Sequence, residues 1–200
     1  YKDKSPIRIF HNYFLKTIKI KGKTIDLGAG MHSSYFNYLK KKNTKIFFAD
    51  KYSSNKKNTY NVDLEKKLKF KNNEFNTVVL FNVLEHIRNY KGLINEINRI
   101  TKKKGKVEIF VPFMHRYHPD PHDIFRPTHF YLHNLLTESG FKVTTNLIGV
   151  GPLSVFSEII LKYLKFKLLK IIFFILFLIL DRVIRVFSKD YNSDLINKLI

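Results

Sequence analysis

Two short runs carry the chemistry. Thr24-Ile25-Asp26-Leu27-Gly28-Ala29-Gly30 places a carboxylate beside a glycine turn, and Phe47-Phe48-Ala49-Asp50 ends an apolar run in a second acid. Glycines at 28 and 30 let the backbone approach a ligand closely, and the amides of a helix start that follows would suit a ligand carboxylate. Asp50 suits a ribose diol, because one carboxylate accepts two hydroxyl hydrogens. Asp26 speaks to charge. It would repel a pyrophosphate but accept an ammonium, directly or through water. A nicotinamide dinucleotide is the nearest rival ligand, and it would want glycine near position 33, where Ser33 stands, with no acid at 26.

A second group lies between Pro112 and Pro127. His115, His118, His122 and Asp123 are candidate general bases there, since an imidazole exchanges protons near neutral pH. Arg126 is a candidate for holding an anionic acceptor. The same His118, His122 and Asp123 are chemically adequate metal ligands, but their spacing in a loop is unconstrained. Turn-capping histidines in a proline-rich loop are the stronger reading, and no metal is expected. His86 follows Asn82-Val83-Leu84-Glu85 and reads as a structural histidine in a tight turn or as an acceptor contact.

The elements that must position these residues alternate. Residues 7–20 carry an amphipathic helical pattern, 23–27 a first strand, and 33–39 a helical period. Short strands are expected at 45–49 and 60–62, and a buried one at 75–81. Residues 90–101 place Leu93, Ile94, Ile97 and Ile100 on one helical face. Lys104-Gly105 ends that helix, a strand follows at 106–111, then a helix at 130–139 and a strand at 141–145. Such alternation predicts an α/β fold: a Rossmann-like, doubly wound, mainly parallel sheet of six or seven strands. Residues 1–150 form that domain. Residues 151–200 form a hydrophobic, basic helical extension, read evenly as an interfacial anchor or as a buried, lid or dimer helix.

The 36 Lys and Arg against 16 Asp and Glu give a formal charge of +20. Most of these lysines read as solvated surface at helix ends and loops, and no aromatic-interleaved basic motif accompanies them, so nucleic acid is an unfavoured partner. The absence of cysteine excludes a disulfide framework and thiolate metal sites and suits a reducing cytoplasm. Residues 7–15 are interrupted by Arg8, His11 and Asn12, so no signal peptide is read there. Because the chain opens on Tyr1, an N-terminal piece is expected to be missing.

Taken together, these residues resemble the class I S-adenosylmethionine (SAM)-dependent methyltransferases, in particular the type 11 group. Ile25-Asp26-Leu27-Gly28-Ala29-Gly30 is similar to the first motif, and Asp50 to the ribose-binding acid. Asn61-Val62-Asp63-Leu64 resembles the segment whose acid meets the adenine amino group. Residues 74–87, including Asn82 and Val83, resemble the fourth strand and its turn. The resemblance covers roughly residues 22–150. It implies SAM as cofactor, held by Asp26, Gly28, Ala29, Gly30, Asp50, Asp63, Leu64, Asn82 and Val83. Val111-Pro112-Phe113, residues 119–128 and Glu138-Ser139-Gly140-Phe141 are similar to a subgroup from bacterial surface-polysaccharide clusters. That implies a glycan or lipid-linked glycan, methylated on oxygen, as acceptor; Arg126, the net charge and residues 153–188 point to an anionic acceptor at the cytoplasmic membrane face. A small metabolite or isoprenoid acceptor, or a degenerate binding protein held at the membrane, are the alternatives. Two departures stand out: Met31-His32 follows Gly30 where relatives have a small pair, and no seventh strand is legible in residues 191–200.

Overall fold

The structure, a computed structural model, describes residues 6–28, 30, 34–52, 58–114, 117, 119, 122–145, 152–161 and 163–187. The chain divides into two compact units. One holds residues 16–113 and 117–144; the other gathers helices from the two ends of the chain.

In the first unit, β1 (Lys19–Leu27), β2 (Lys40–Asp50), β3 (Thr59–Asn61), β4 (Phe75–Phe81) and β5 (Thr101–Phe110) form one sheet in the order β3-β2-β1-β4-β5. Every neighbouring pair is parallel. The chain winds outward from β1 to β3, then returns to β4 on the other side. The direction of winding therefore reverses between β1 and β4, and in such sheets ligands bind outside the strand carboxyl ends at that point. The doubly wound α/β class forms as expected, with five strands among the described residues where six or seven are expected.

The core explains the order. A central parallel strand is covered on both faces, so it must be apolar throughout. In β4 every residue but Asn76 is buried. Ile25, Leu27, Phe47, Ala49, Val78 and Leu80 join Phe75 in one cluster. The Phe75 ring lies 5.3 Å from Phe70 and 6.3 Å from Phe47, and burying a side chain of this size contributes roughly 3 kcal/mol. Helix α2 (Tyr90–Ile100) lays Leu93, Ile94, Ile97 and Ile100 into the same cluster, as its period predicts. Asn89 caps it, its Oδ1 accepting from Gly92 N at 3.2 Å.

Several boundaries differ from the expectation, each for a physical reason. The first helix, α1 (Pro6–Leu15), stops early because Ile18 and Ile20 are buried at the start of the sheet. β1 then runs from Lys19, pairing Lys19, Ile20 and Lys21 with Lys40, Lys41 and Lys42. That lysine run is thus a strand end, not a loop. Thr101 ends α2 by donating Oγ1–H to Ile97 O at 2.6 Å and enters β5 at once. Lys102 to Gly105 ride in a register shift between the pairs Phe75↔Thr101 and Thr77↔Lys106. The expected helix at 33–39 is a 3₁₀ turn over Ser34–Asn37.

Helix α3 (His129–Glu138) is capped by Thr128, whose hydroxyl accepts from Tyr131 N at 3.2 Å. The expected strand at 141–145 does not form. Phe141 N instead donates to Leu136 O at 3.1 Å, closing the end of α3. In the second unit, α4 (Pro152–Leu161) and α5 (Lys167–Phe187) supply the helical extension. Among the described residues no helix is long and apolar enough to cross a membrane.

Candidate functional site

Parallel strands deliver all their carboxyl ends to one edge, and several of the described residues singled out from sequence meet there. Gly28 N donates to Ala49 O at 2.7 Å, tying the turn after β1 to the end of β2. Gly30 N donates to Asp50 Oδ2 at 2.9 Å, and Tyr52 N to Asp50 Oδ1 at 2.9 Å. Val62 N donates to Asp50 O at 3.1 Å and brings in the end of β3. There Asp63 accepts from Glu65 N at 3.1 Å and faces Lys51 Nζ at 3.6 Å. Leu64 is buried in the core beside it.

The turn after β4 closes the other side. Asn82 holds φ +53°, a left-handed conformation that asparagine tolerates better than most residues, and its N–H donates to Phe110 O at 2.9 Å. Val83 packs under the glycine turn so tightly that a Cβ on Gly28 would lie 2.5 Å from Val83 Cγ2. At Gly30, by contrast, a Cβ would meet nothing within 4 Å, so the turn opens outward there.

Asp26 is fully buried, and the Tyr35 hydroxyl donates to its Oδ2. A phenol that donates to a carboxylate still has lone pairs to accept from an ammonium. Tyr35 can therefore pass the charge of Asp26 outward. The sequence reading missed Tyr35. It sits in the 3₁₀ turn, held edge-on to Phe81 at 5.3 Å, and only the long-range bond reveals its role.

The loop after β5 is pinned to the β4 turn. Ile124 N and Phe125 N both donate to Glu85 O, at 2.8 and 3.1 Å. His86 Nδ1 lies 2.6 Å from His122 O. A carbonyl only accepts, so Nδ1 carries the proton. Asp123 and Arg126 form an ion pair: Arg126 Nε donates to Asp123 Oδ1 at 2.8 Å, with a second bond from Nη2 to Oδ2. The Asp123 side chain is almost wholly buried, and Arg126 Nη1 also reaches Pro112 O at 3.4 Å. An anionic acceptor at Arg126 would share that guanidinium with Asp123. His122 itself is exposed. Ala29, Met31, His32, His115 and His118 lie outside the described residues. Among the described residues no cluster of three or more His, Asp or Glu is placed to hold a metal.

Glu85 is the unusual group. Its carboxyl is fully buried, neither oxygen has a hydrogen-bond partner among the described residues, and His86 Nε2 stands 3.7 Å from Oε1. Burial pushes its pKa up, against smaller lowering effects from its own backbone, His86 and Arg126 and a smaller raising effect from Asp123. An acid whose folded pKa is raised favours folding fully below its unfolded pKa and loses that contribution as pH rises through the folded value. Glu74 and Glu96, lowered despite opposing desolvation by Lys23 and Arg99 respectively, act in the opposite sense. The difference between wild type and Glu85→Gln isolates Glu85. Urea unfolding across pH should show the wild type losing stability relative to Glu85→Gln as pH rises above the ordinary carboxyl range. A pH-independent difference would refute the buried neutral acid.

The family described as methyltransferase domain matches residues 3–146. The chain belongs to that family. A SAM-dependent methyltransferase from Aquifex aeolicus superposes with a TM-score of 0.53 at 15% identity, covering 70% of this chain and 86% of that one. A chain from a complex between the Haloferax volcanii Trm112 methyltransferase activator and a methyltransferase gives 0.53 at 16% identity, covering 70% of each. An uncharacterized protein of Methanocaldococcus jannaschii is 52% identical over 44 residues, which is 22% of this chain and 19% of that protein. The match thus spans about a fifth of that curated relative's length.

SAM is the cofactor of this class, and the residues of the methyltransferase domain fit it. Asp50 spends both oxygens on backbone amides, yet a carboxylate offers about four acceptor sites, which leaves room for a ribose diol. Gly30 is open where a ligand would approach, and the Asp26–Tyr35 pair presents negative charge to an ammonium. The donor set suits a cation-bearing nucleoside better than a pyrophosphate.

Proposed function

We propose that this methyltransferase domain transfers a methyl group to an oxygen of a glycan, lipid-linked, in surface-polysaccharide assembly. SAM supplies a methyl carbon already activated by a sulfonium. The chain must then bind the acceptor, aim its hydroxyl and take the proton. The observation that carries the reading is the pinning of the loop after β5 onto the β4 turn through Glu85 O and His86. This holds the exposed residue His122 beside the turn after β4, which supports it as the base of a methyl transfer to a hydroxyl. Arg126, partly exposed beside the buried Asp123, gives that loop a hydrogen-bond donor suited to a sugar or a phosphate linkage. Its resemblance to the polysaccharide-cluster subgroup supports the same acceptor class.

The test uses SAM labelled in the methyl group. The full chain is incubated separately with lipid-linked oligosaccharide, free sugars, small isoprenoid alcohols and RNA. Label should enter the lipid-linked glycan and resist mild base, as an ether does. Label in another fraction would replace the acceptor. Failure to bind SAM by calorimetry would sink the enzymatic reading altogether.

A further inference from the structure

Helix α5 is apolar on almost every side, yet only a narrow stripe of it is covered. Phe174 and Asp181 are buried, with Lys170, Phe177 and Leu178 half-buried on the same side. Facing them, α4 buries Ser154, Ser157 and Leu161 at helical spacing, the two serines being small enough to permit close approach. The seam is locked at one end by Asp181. It accepts from Leu153 N at 3.0 Å, Ser154 N at 2.8 Å and Ser154 Oγ at 2.5 Å. The single acid of α5 is thereby spent on capping the start of α4, where the helix dipole favours it.

The rest of α5 is exposed. Leu168, Leu169, Ile171, Ile172, Phe173, Ile175, Leu176, Ile179, Leu180, Val183 and Ile184 each show 38% or more of their surface. At 100° per residue these positions sweep about 220° of the helix, centred opposite the α4 seam. Phe156, Ile159 and Ile160 of α4 are exposed as well. A patch of this kind marks a partner rather than bare solvent contact.

Its shape and charge select the partner. A second copy packing helix on helix would cover a stripe about 100° wide and leave the remainder wet. A fluid apolar medium covers the whole arc. Residues 152–187 hold Lys162, Lys165, Lys167, Lys170, Arg182 and Arg185 against Glu158 and Asp181. The basic residues bracket the uncharged run 171–180, so a helix lying flat places them at the level of anionic headgroups. We propose that the α4–α5 hairpin docks in the interfacial plane of an anionic bilayer, with the apolar arc of α5 among the acyl chains. This rests on the hairpin alone and not on the acceptor.

The test is sedimentation of the full chain with phosphatidylcholine vesicles and with vesicles doped with phosphatidylglycerol, at low and high salt. Binding should occur on both and be about tenfold or more tighter on the doped vesicles at low salt. Lys165→Glu with Lys170→Glu should erase that preference. Ile172→Ser, Leu176→Ser and Ile179→Ser together, all opposite the seam, should weaken binding at least about tenfold on both compositions. Should the triple variant misfold, a second reading remains: the chain has no tryptophan. Leu176→Trp is then a single reporter that brominated phosphatidylcholine should quench. No sedimentation with either vesicle, an unquenched Trp, or a dimer in lipid-free solution that the triple variant dissociates would each overturn the proposal.

Discussion

Gly28→Ala is expected to lower SAM affinity at least about 100-fold and unfolding free energy by about 2–6 kcal/mol. Two costs add. The residue holds φ +77°, a left-handed conformation that a side chain strains by about 1–3 kcal/mol. The new methyl would also lie 2.5 and 2.7 Å from the two γ-carbons of Val83, an overpacking of about 1–3 kcal/mol. Relief requires the turn to lift away from Val83 or the β4 turn to retreat. Either motion disturbs the Gly28 N–Ala49 O bond and, two residues on, the grip of Gly30 on Asp50. Gly30→Ala is the control. Its φ of +57° carries the backbone strain, but its Cβ would meet nothing, so stability should fall by only about 1–2 kcal/mol. Calorimetric SAM titration and urea unfolding read both quantities. Unchanged affinity in Gly28→Ala would show that the ligand does not depend on the turn after β1.

Why some of this was legible in sequence and some not follows from where each signal lives. β4 was read with correct bounds because a central parallel strand must be apolar on both faces, and Phe75-Asn76-Thr77-Val78-Val79-Leu80-Phe81 is nearly so. α2 was legible because its one buried face repeats at helical spacing. The outer halves of β1, β2 and β5 were not. In β2 Lys40, Lys41 and Lys42 extend a ladder and in β5 Lys102, Lys103 and Lys104 ride its register shift, their side chains reaching solvent, so no hydrophobic period announces a strand there; at β1 the alternation Ile18-Lys19-Ile20-Lys21 is absorbed into the helical pattern expected over 7–20. The strand expected at 141–145 kept its alternation but lost its first amide to the α3 terminus, a competition no local pattern encodes. At the site, Gly28, Gly30 and Asp50 were legible because ligand chemistry restricts the residue type. Tyr35 was not, since aromatic residues in 33–39 read as core and the bond to Asp26 exists only once the turn folds back over β1. Nor is the burial of Glu85 legible in its local sequence. Its burial comes from the loop at 122–125 docking over it, a contact nearly 40 residues away in sequence.

His122→Ala should reduce methyl transfer about 100-fold or more while leaving SAM affinity unchanged, the range by which a positioned base accelerates proton removal. The argument is one of anchoring. Proton transfer needs a group held within hydrogen-bond reach of the acceptor hydroxyl, and a base on a wandering loop forfeits that geometry. His122 is held through its own carbonyl by His86 Nδ1, while Ile124 and Phe125 two and three residues on are held by Glu85 O. Its backbone is thus held at its own carbonyl and on its C-terminal side, and the residue is exposed. Asp123, the adjacent candidate, is buried and already bonded twice to Arg126, so as a base it would have to surrender that pair. A merely structural His122 would show a different pattern. Its loss would lower stability or raise the KM for acceptor with kcat unchanged. A catalytic His122 lowers kcat and removes the imidazole limb from the pH–rate profile. His86→Ala separates anchoring from chemistry, since it frees the His122 carbonyl without removing the base. It should raise KM for acceptor and lower kcat only partly. Full kcat in His122→Ala, with loss instead in His115→Ala or His118→Ala, would move the base along the same loop. Full kcat in all three would remove histidine from the mechanism.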